Sequence, residues 1–175
     1  MTVTLSKGLL RDLFDYADGK LFWRKSRGTR GTAGAVAGCA PIKSHTYHRI
    51  VISRRVMYRH KLVWVWHNGD VPEGLVVDHI NGDTTDDRIE NLRLATYSQN
   101  ACNRKVHTNN KSGYKGVDYV PQFGGYRAVI TVAGIQRHLG IFDSPEGAHQ
   151  AYIAASKKYH GDYSRSCKEI PCAIP

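Results

Sequence analysis

Apolar residues recur along this chain in two rhythms, one of helical and one of strand spacing. Behind Ser6, the residues Leu9, Leu10, Leu13 and Phe14 fall at helical intervals, which predicts a short amphipathic helix over residues 7–16 with Ser6 as its cap. Asp18-Gly19 is a turn signal, and Lys20-Leu21-Phe22-Trp23-Arg24 alternates as a strand does. Residues 26–40 break the pattern with Gly28, Gly31, Gly34 and Gly38. These match neither a dinucleotide fingerprint nor a phosphate-cradling loop, so a flexible surface loop is expected. Residues 47–52 and 56–58 predict two strands around Ser53-Arg54-Arg55, a hairpin tip whose arginines suit phosphate contact. Residues 59–67 predict a helix with a wide apolar surface that ends before Asn68-Gly69.

The most informative pattern lies in the middle. The apolar run Leu75-Val76-Val77 ends in Asp78-His79, a polar loop follows, a second short apolar run begins at Leu92, and Thr96-Tyr97-Ser98-Gln99 opens a helix. Thr96 and Gln99 have the form of a capping box, which places Asn100 in the first turn. A strand-end Asp78 and a first-turn Asn100 both offer oxygen to one metal ion. His79, directed to the other side of its strand, is left to handle a proton. Each residue alone also fits an ordinary turn-rich hairpin, with Asp78 as a loop cap, His79 at the surface, and Asn91 and Asn100 satisfying local backbone.

Further on, residues 103–111 are polar and basic and read as a linker ordered only against its partner. In the next segment Tyr126, Ala128, Ile130 and Val132 share one strand face, with Arg127, Val129 and Thr131 on the other. Ser144-Pro145 caps a helix whose Ala148, Tyr152, Ala155 and Tyr159 form a stripe before Gly161. One face of this sheet is covered by the helix and the other is free to enter a DNA groove. The tail after Arg165 has no periodicity.

Charge sharpens the picture. The chain of 175 residues carries 25 Lys and Arg against 15 Asp and Glu, a net charge of +10, which is a footprint for a polyanion. With no long apolar run, signal peptide or basic amphipathic anchor, nucleic acid is preferred over a membrane surface. Cys39, Cys102, Cys167 and Cys172 contain no Cys-x-x-Cys pair, so reduced thiols in a cytoplasmic compartment are expected and a structural zinc site is not.

The block from Asp78-His79 through Asn91 to Asn100 resembles the HNH nuclease family, over roughly residues 56–105 and in the manner of its phage homing branch. The resemblance implies a ββα-metal core with His79 as general base, Asn91 as the residue that holds the loop and orients the base, and Asp78 and Asn100 as metal ligands. An oxygen-only ligand pair favours Mg²⁺ or Mn²⁺ over Zn²⁺. His60-Lys61-Leu62-Val63-Trp64 resembles the stretch before the motif in phage members, where it packs the helix on the hairpin; His60 and His67 are therefore not read as ligands. A second resemblance, carried by Tyr114-Lys115-Gly116-Val117, residues 126–130 and 138–143, Glu146-Gly147-Ala148 and His160-Gly161, is to the DNA-binding domain of plant ethylene-response factors. It implies that Lys115, Arg127, Thr131, Gln136 and His138 face DNA. Asp118, Thr131 and Gln136 replace groove-facing arginines and His138 replaces a tryptophan, so the plant target sequence does not carry over.

The expectation is an α+β protein with a strand-rich, DNA-contacting region at 1–55, a nuclease core at 56–105, a linker at 106–111 and a DNA-binding domain at 112–165. The tail at 166–175 completes it. Expected DNA contacts are Arg54, Arg55, Arg104, Lys105, Lys115, Arg127, Thr131, Gln136 and His138. The expected function is site-selective, metal-dependent hydrolysis of double-stranded DNA by a monomer without an organic cofactor, in a bacterial host's cytoplasm if the gene is a phage's. The alternatives are a regulator that binds DNA on a nuclease scaffold without cutting, and a nuclease directed at RNA.

Overall fold

A computed structural model describes residues 5–26, 28, 31–42, 46–103, 106 and 109–164, and shows a chain of mixed helix and strand in two compact units, Met1–Ala95 and Thr96–Pro175. The first contains α1 (Lys7–Leu13), β1 (Phe14–Ala17), β2 (Lys20–Trp23), β3 (Arg49–Ile52), β4 (Arg55–Tyr58), α2 (Arg59–Asn68), β5 (Leu75–His79) and all but the last residue of β6 (Leu92–Thr96). The second contains α3 (Tyr97–Cys102), β7 (Val117–Val120), β8 (Gly125–Val132), β9 (Ile135–Phe142) and α4 (Pro145–His160). The unit boundary thus falls inside the stretch read from sequence as one nuclease core.

Ser6 caps α1 as its spacing predicts, accepting from the Leu9 amide at 3.3 Å. The helix then stops at Leu13 instead of running to Tyr16. The cause is the turn that follows: Asp18 and Gly19 both take positive φ, 46° and 74°, and so fold β2 back on β1. Phe14 then faces Trp23 across the pair, and their rings lie 4.5 Å apart. A strand partner outweighs one more turn of marginal helix.

The segment expected to be a flexible loop is laid against β2 instead. Trp23 donates to the Ala35 carbonyl at 3.0 Å and Ala37 donates to Leu21 at 2.7 Å, and Ala37 is buried. At Gly38, with φ of +100°, a Cβ would lie 2.5 Å from the Arg49 carbonyl oxygen. That glycine serves close approach of two backbones, not flexibility. Arg27 and Arg30 lie outside the described residues.

β3 and β4 pair antiparallel around Ser53 and Arg54, whose φ of 49° and 65° make a tight left-handed turn from non-glycine residues. From β4 the chain enters α2 directly. Leu62 and Val63 of α2 join Leu10, Phe14, Leu21, Trp23, Ile50, Val77 and Leu92 in one core. α2, β3, β5 and β6 therefore meet around that core, and this positions the ends of β5 and α2.

In the second unit, β7, β8 and β9 form an antiparallel sheet in that order. Ser144 caps α4 by accepting from the Gly147 amide, with Pro145 next in line. Ala148, Tyr152 and Ala155 are buried, with Val117, Ala128 and Ile130 of the sheet in the same clusters. Tyr159 departs from that stripe: it is 38% exposed, with the Arg137 guanidinium 5.3 Å from its ring. Gly116, at φ of +71°, leaves room for Tyr152, whose ring a Cβ would meet at 2.2 Å. Among the described residues no helix is long and apolar enough to cross a membrane. The tail, with Cys167 and Cys172, lies outside them.

Candidate active site

β5 carries its apolar run into the core and ends on two buried polar residues, Asp78 and His79. Consecutive strand residues face opposite ways, so they enter different environments. Asp78 Oδ2 accepts two hydrogen bonds from Arg93 of β6, from Nε at 3.0 Å and Nη2 at 2.9 Å. His79 Nε2 lies 2.8 Å from Asp87 Oδ1. An ionised carboxylate only accepts, so Nε2 carries the hydrogen and Nδ1 is the proton-accepting nitrogen of the neutral ring.

Asp87 is the centre of this arrangement, and nothing in the sequence pattern singled it out. It is 2% exposed and takes the Arg59 Nε on its other oxygen at 2.7 Å. His48 Nδ1 approaches the same oxygen at 3.4 Å. That approach is no ion pair, because the Arg59 Nη2 lies 2.9 Å from the same Nδ1 and must donate to it. Consistently, burial, followed by the charge of Arg59, holds His48 below its ordinary pKa. Arg59 and His60 open α2, both buried. Arginine in a first helical turn opposes the helix dipole, and here Asp87 supplies the compensation. That misplaced charge was the one sequence signal that an acid waited elsewhere.

The loop between β5 and β6 is tied down by its own polar residues. Asn81 Oδ1 accepts from the Asp83 amide at 2.8 Å, and Asp83 Oδ1 accepts from the amide and hydroxyl of Thr85. Two hydrogen bonds from Arg88 hold Asp86 down to about 2. Asn91 spans the loop: its Oδ1 accepts from the Asn81 amide at 3.0 Å and its Nδ2 donates to the Asp86 carbonyl at 2.7 Å. His79 donates a direct hydrogen bond to Asp87, while the hydrogen bonds of Asn91 run within the loop. From below, Gly19 of the β1–β2 turn presses close enough that a Cβ would lie 2.7 Å from the Arg88 amide nitrogen.

Two aromatic groups flank the imidazole. The Tyr47 ring lies 5.9 Å from His79 and 5.0 Å from His60, and the two histidine rings are 5.0 Å apart. His60 is pushed down to about 3 by burial and then by His79, and its Nδ1 is buried without a hydrogen-bond partner. His60, His79 and Asp87 each offer a ligand atom within 4.8 Å of the others. The sequence reading had given His60 a packing role alone.

The other expected site residues are dispersed. Asn100 sits on α3 in the second unit, behind a capping box in which Gln99 donates to Thr96 Oγ1 at 3.2 Å and Thr96 donates to Gln99 Oε1 at 2.8 Å. Arg54 and Arg55 are exposed at their hairpin tip, while Arg104 and Lys105 lie outside the described residues. Lys115 is not on the open sheet face. Its Nζ donates to the Cys102 carbonyl at 2.6 Å, where a cation suits the end of α3. Arg127, Thr131, Gln136 and His138 do share the face turned from α4: Thr131 pairs with Gln136 and Val129 with His138, and all but Arg127 and Val129 are exposed. Arg127 binds Asp118 through Nη2 at 2.6 Å and Nε at 3.1 Å.

Residues 57–102 match the sequence profile of an HNH endonuclease family. Protein 3.8 of Escherichia phage T7 is 34% identical over 107 residues, which span 61% of this chain and 88% of that protein. The uncharacterized HNH endonuclease L560 of Acanthamoeba polyphaga mimivirus is 29% identical over 96 residues, 55% of this chain and 49% of that one. A solved structure described as DNA binding and cleavage by the HNH homing endonuclease I-HmuI aligns over 82% of each chain at 24% identity. Its TM-score is 0.39, too low to compare the arrangement of parts.

Proposed function

The chain belongs to the HNH endonuclease family, and from that premise we propose that it is a site-selective, metal-dependent endonuclease of the homing type acting on double-stranded DNA. The observation that carries this reading is the buried His79, oriented through Nε2 by an Asp87 that Arg59 holds in turn. A carboxylate that fixes a histidine tautomer is the arrangement by which enzymes keep a base aimed at its proton.

In this reading His79 takes a proton from water at Nδ1 as that water attacks the scissile phosphorus, and Asp87 stabilises the imidazolium that results. With 3% of its surface exposed, His79 meets substrate only after its surroundings shift. HNH nucleases generally use one divalent metal ion. The family pattern assigns it to Asp78 and Asn100, and the donors fit: a carboxylate and an amide oxygen suit a hard ion such as Mg²⁺ or Mn²⁺. Arg93 holds Asp78 in place through one oxygen. Once bound, such an ion supplies charge stabilisation for the phosphoryl and leaving oxygens. Double-stranded DNA as the substrate is supported by the net charge of +10 and by the open face bearing Arg127, Thr131, Gln136 and His138. That face, with Arg54, Arg55, Arg104 and Lys105, would extend the footprint beyond the core.

One observation favours the second reading, a DNA-binding regulator that does not cut: the Arg93 guanidinium already neutralises Asp78. The test is conversion of supercoiled clones spanning phage and host genomes, with Mg²⁺ and with EDTA. Metal-dependent nicking or linearisation that is lost in His79→Ala supports the nuclease. Salt-sensitive binding of a clone that is never cut supports the regulator.

A further inference from the structure

We propose that His60, His79 and Asp87 form a binding site for a divalent transition-metal ion of the zinc class, and that filling this site silences the nuclease. All three side chains belong to the first unit, are at most 4% exposed and bring their ligand atoms within 4.8 Å of one another. The buried Nδ1 of His60 makes no hydrogen bond. A buried polar atom left so is costly unless a water or ion meets it.

The donor set selects the ion. Two imidazoles and one carboxylate are ligands of zinc-class ions, whereas magnesium demands oxygens and gives up its waters reluctantly. The oxygen ligand assigned to magnesium, Asp78, points to the opposite face of β5 from His79, so the two ions do not compete for one group. A tetrahedral ion with bonds of about 2.1 Å holds its ligand atoms about 3.4 Å apart. His79 Nε2 and Asp87 Oδ1, at 2.8 Å, need only separate slightly, and the His60 ligand atom lies within 4.8 Å of the other two. Arg59 stays on Asp87 Oδ2 and leaves Oδ1 for the ion.

Silencing follows from occupancy. An ion held by His79 and Asp87 takes up together the imidazole and the carboxylate that orients it, so the base can no longer work on water. This consequence rests on His79 being the base, whereas the binding does not.

The experiment uses the full chain, stripped with a chelator and titrated with Co²⁺ in excess Mg²⁺ while visible d–d absorption is followed. One equivalent should bind to the wild type and to Asp78→Asn, and His60→Phe should bind about 100-fold more weakly or worse. Absorption that survives in His60→Phe, vanishes in Asp78→Asn or is displaced by Mg²⁺ overturns the site. Should His60→Phe not fold, Zn²⁺ titration of the wild type with ¹⁵N-labelled histidine decides: two of the nine imidazoles should shift, and any other number overturns it. Cleavage in Mg²⁺ should then fall with Zn²⁺ at the binding midpoint. Binding without inhibition overturns the silencing and the role of His79 together. Failure to cut cognate DNA in Mg²⁺ alone removes the nuclease reading and with it the silencing, while the spectra still judge the site.

Discussion

Two aspartate–arginine pairs of almost equal length have opposite meanings in this protein. In the first unit Arg59 Nε meets Asp87 at 2.7 Å with 6% and 1% of the side chains exposed. In the second Arg127 Nη2 meets Asp118 at 2.6 Å with 43% and 45% exposed. Distance does not separate them, so burial must. Charges withdrawn from water depend on each other, since the loss of one strands its partner in a medium that cannot solvate it. Charges still in water lose little on parting and remain available to a stronger anion. The first pair holds a histidine still; the second, under the proposed function, is one that Arg127 could give up to a phosphate or a base edge.

The largest expected effect therefore lies at Asp87. Asp87→Ala should destabilise the protein by about 3–5 kcal/mol in urea unfolding, because Arg59 is left buried and unpaired. Asp118→Ala should cost no more than about 1 kcal/mol. Equal losses would break the comparison. Asp87→Asn keeps the shape but lets an amide oxygen or an amide hydrogen face His79, so it should lower kcat far more than KM. Loss of both in proportion to unfolding would reduce Asp87 to a structural residue.

A smaller effect is expected one step out. Gly19→Ala strains a φ of +74° and drives a Cβ to 2.7 Å from the Arg88 backbone, which should cost about 1–3 kcal/mol and slow cleavage by displacing Asp87. Gly124→Ala, at φ of +62° with open space around it, should cost about 1 kcal/mol and leave cleavage as it was. Cleavage that falls equally in both variants would mean that strain alone, not the seat of Asp87, is being read.

What could be read from the sequence divides along the same line. Local chemistry was legible: the Ser6 cap, the Thr96–Gln99 capping box, the Ser53-Arg54 hairpin and the alternation of β8 each depend on neighbours a few residues away. Asp78, His79, Asn91 and Asn100 were legible because their order and spacing form a motif. Asp87 was not, because its partners Arg59 and His48 stand 28 and 39 positions away, and one of three aspartates in a polar loop has no periodicity to mark it. β1 was hidden for the opposite reason: its residues continue a helical pattern, and only pairing with β2 shows that they are a strand. Lys115 was assigned to the sheet face by analogy, but the carbonyl at the end of α3 claims it.

The exposed pair makes its own prediction. Asp118→Asn removes the internal competitor for Arg127, so non-specific DNA affinity should rise and the slope of log affinity against log salt should steepen by about one contact. Unfolding should hardly change. A steeper slope with unchanged discrimination between sites would make Arg127 a phosphate contact, whereas a gain confined to one sequence would make it a reader of bases. No change in affinity or slope would take Arg127 off the DNA surface.

The smallest effect should come from a group of intermediate burial. His67, at the end of α2, is half-buried, with the Tyr16 ring edge-on at 4.4 Å, and its Nε2 has no hydrogen-bond partner. Burial first, and Arg11 next, hold its pKa below the usual 6.5, with Glu90 opposing and Lys7 reinforcing Arg11. A histidine whose folded pKa is depressed binds its proton more readily when unfolded, so the stability it protects is present above about pH 6.5 and drains as the pH falls toward the folded value. His67→Gln cannot take up that proton, so its unfolding free energy should fall less than that of the wild type between pH 7 and pH 5. Parallel curves would show that half-burial beside Arg11 is not enough, and that in this unit only full burial makes a charge matter.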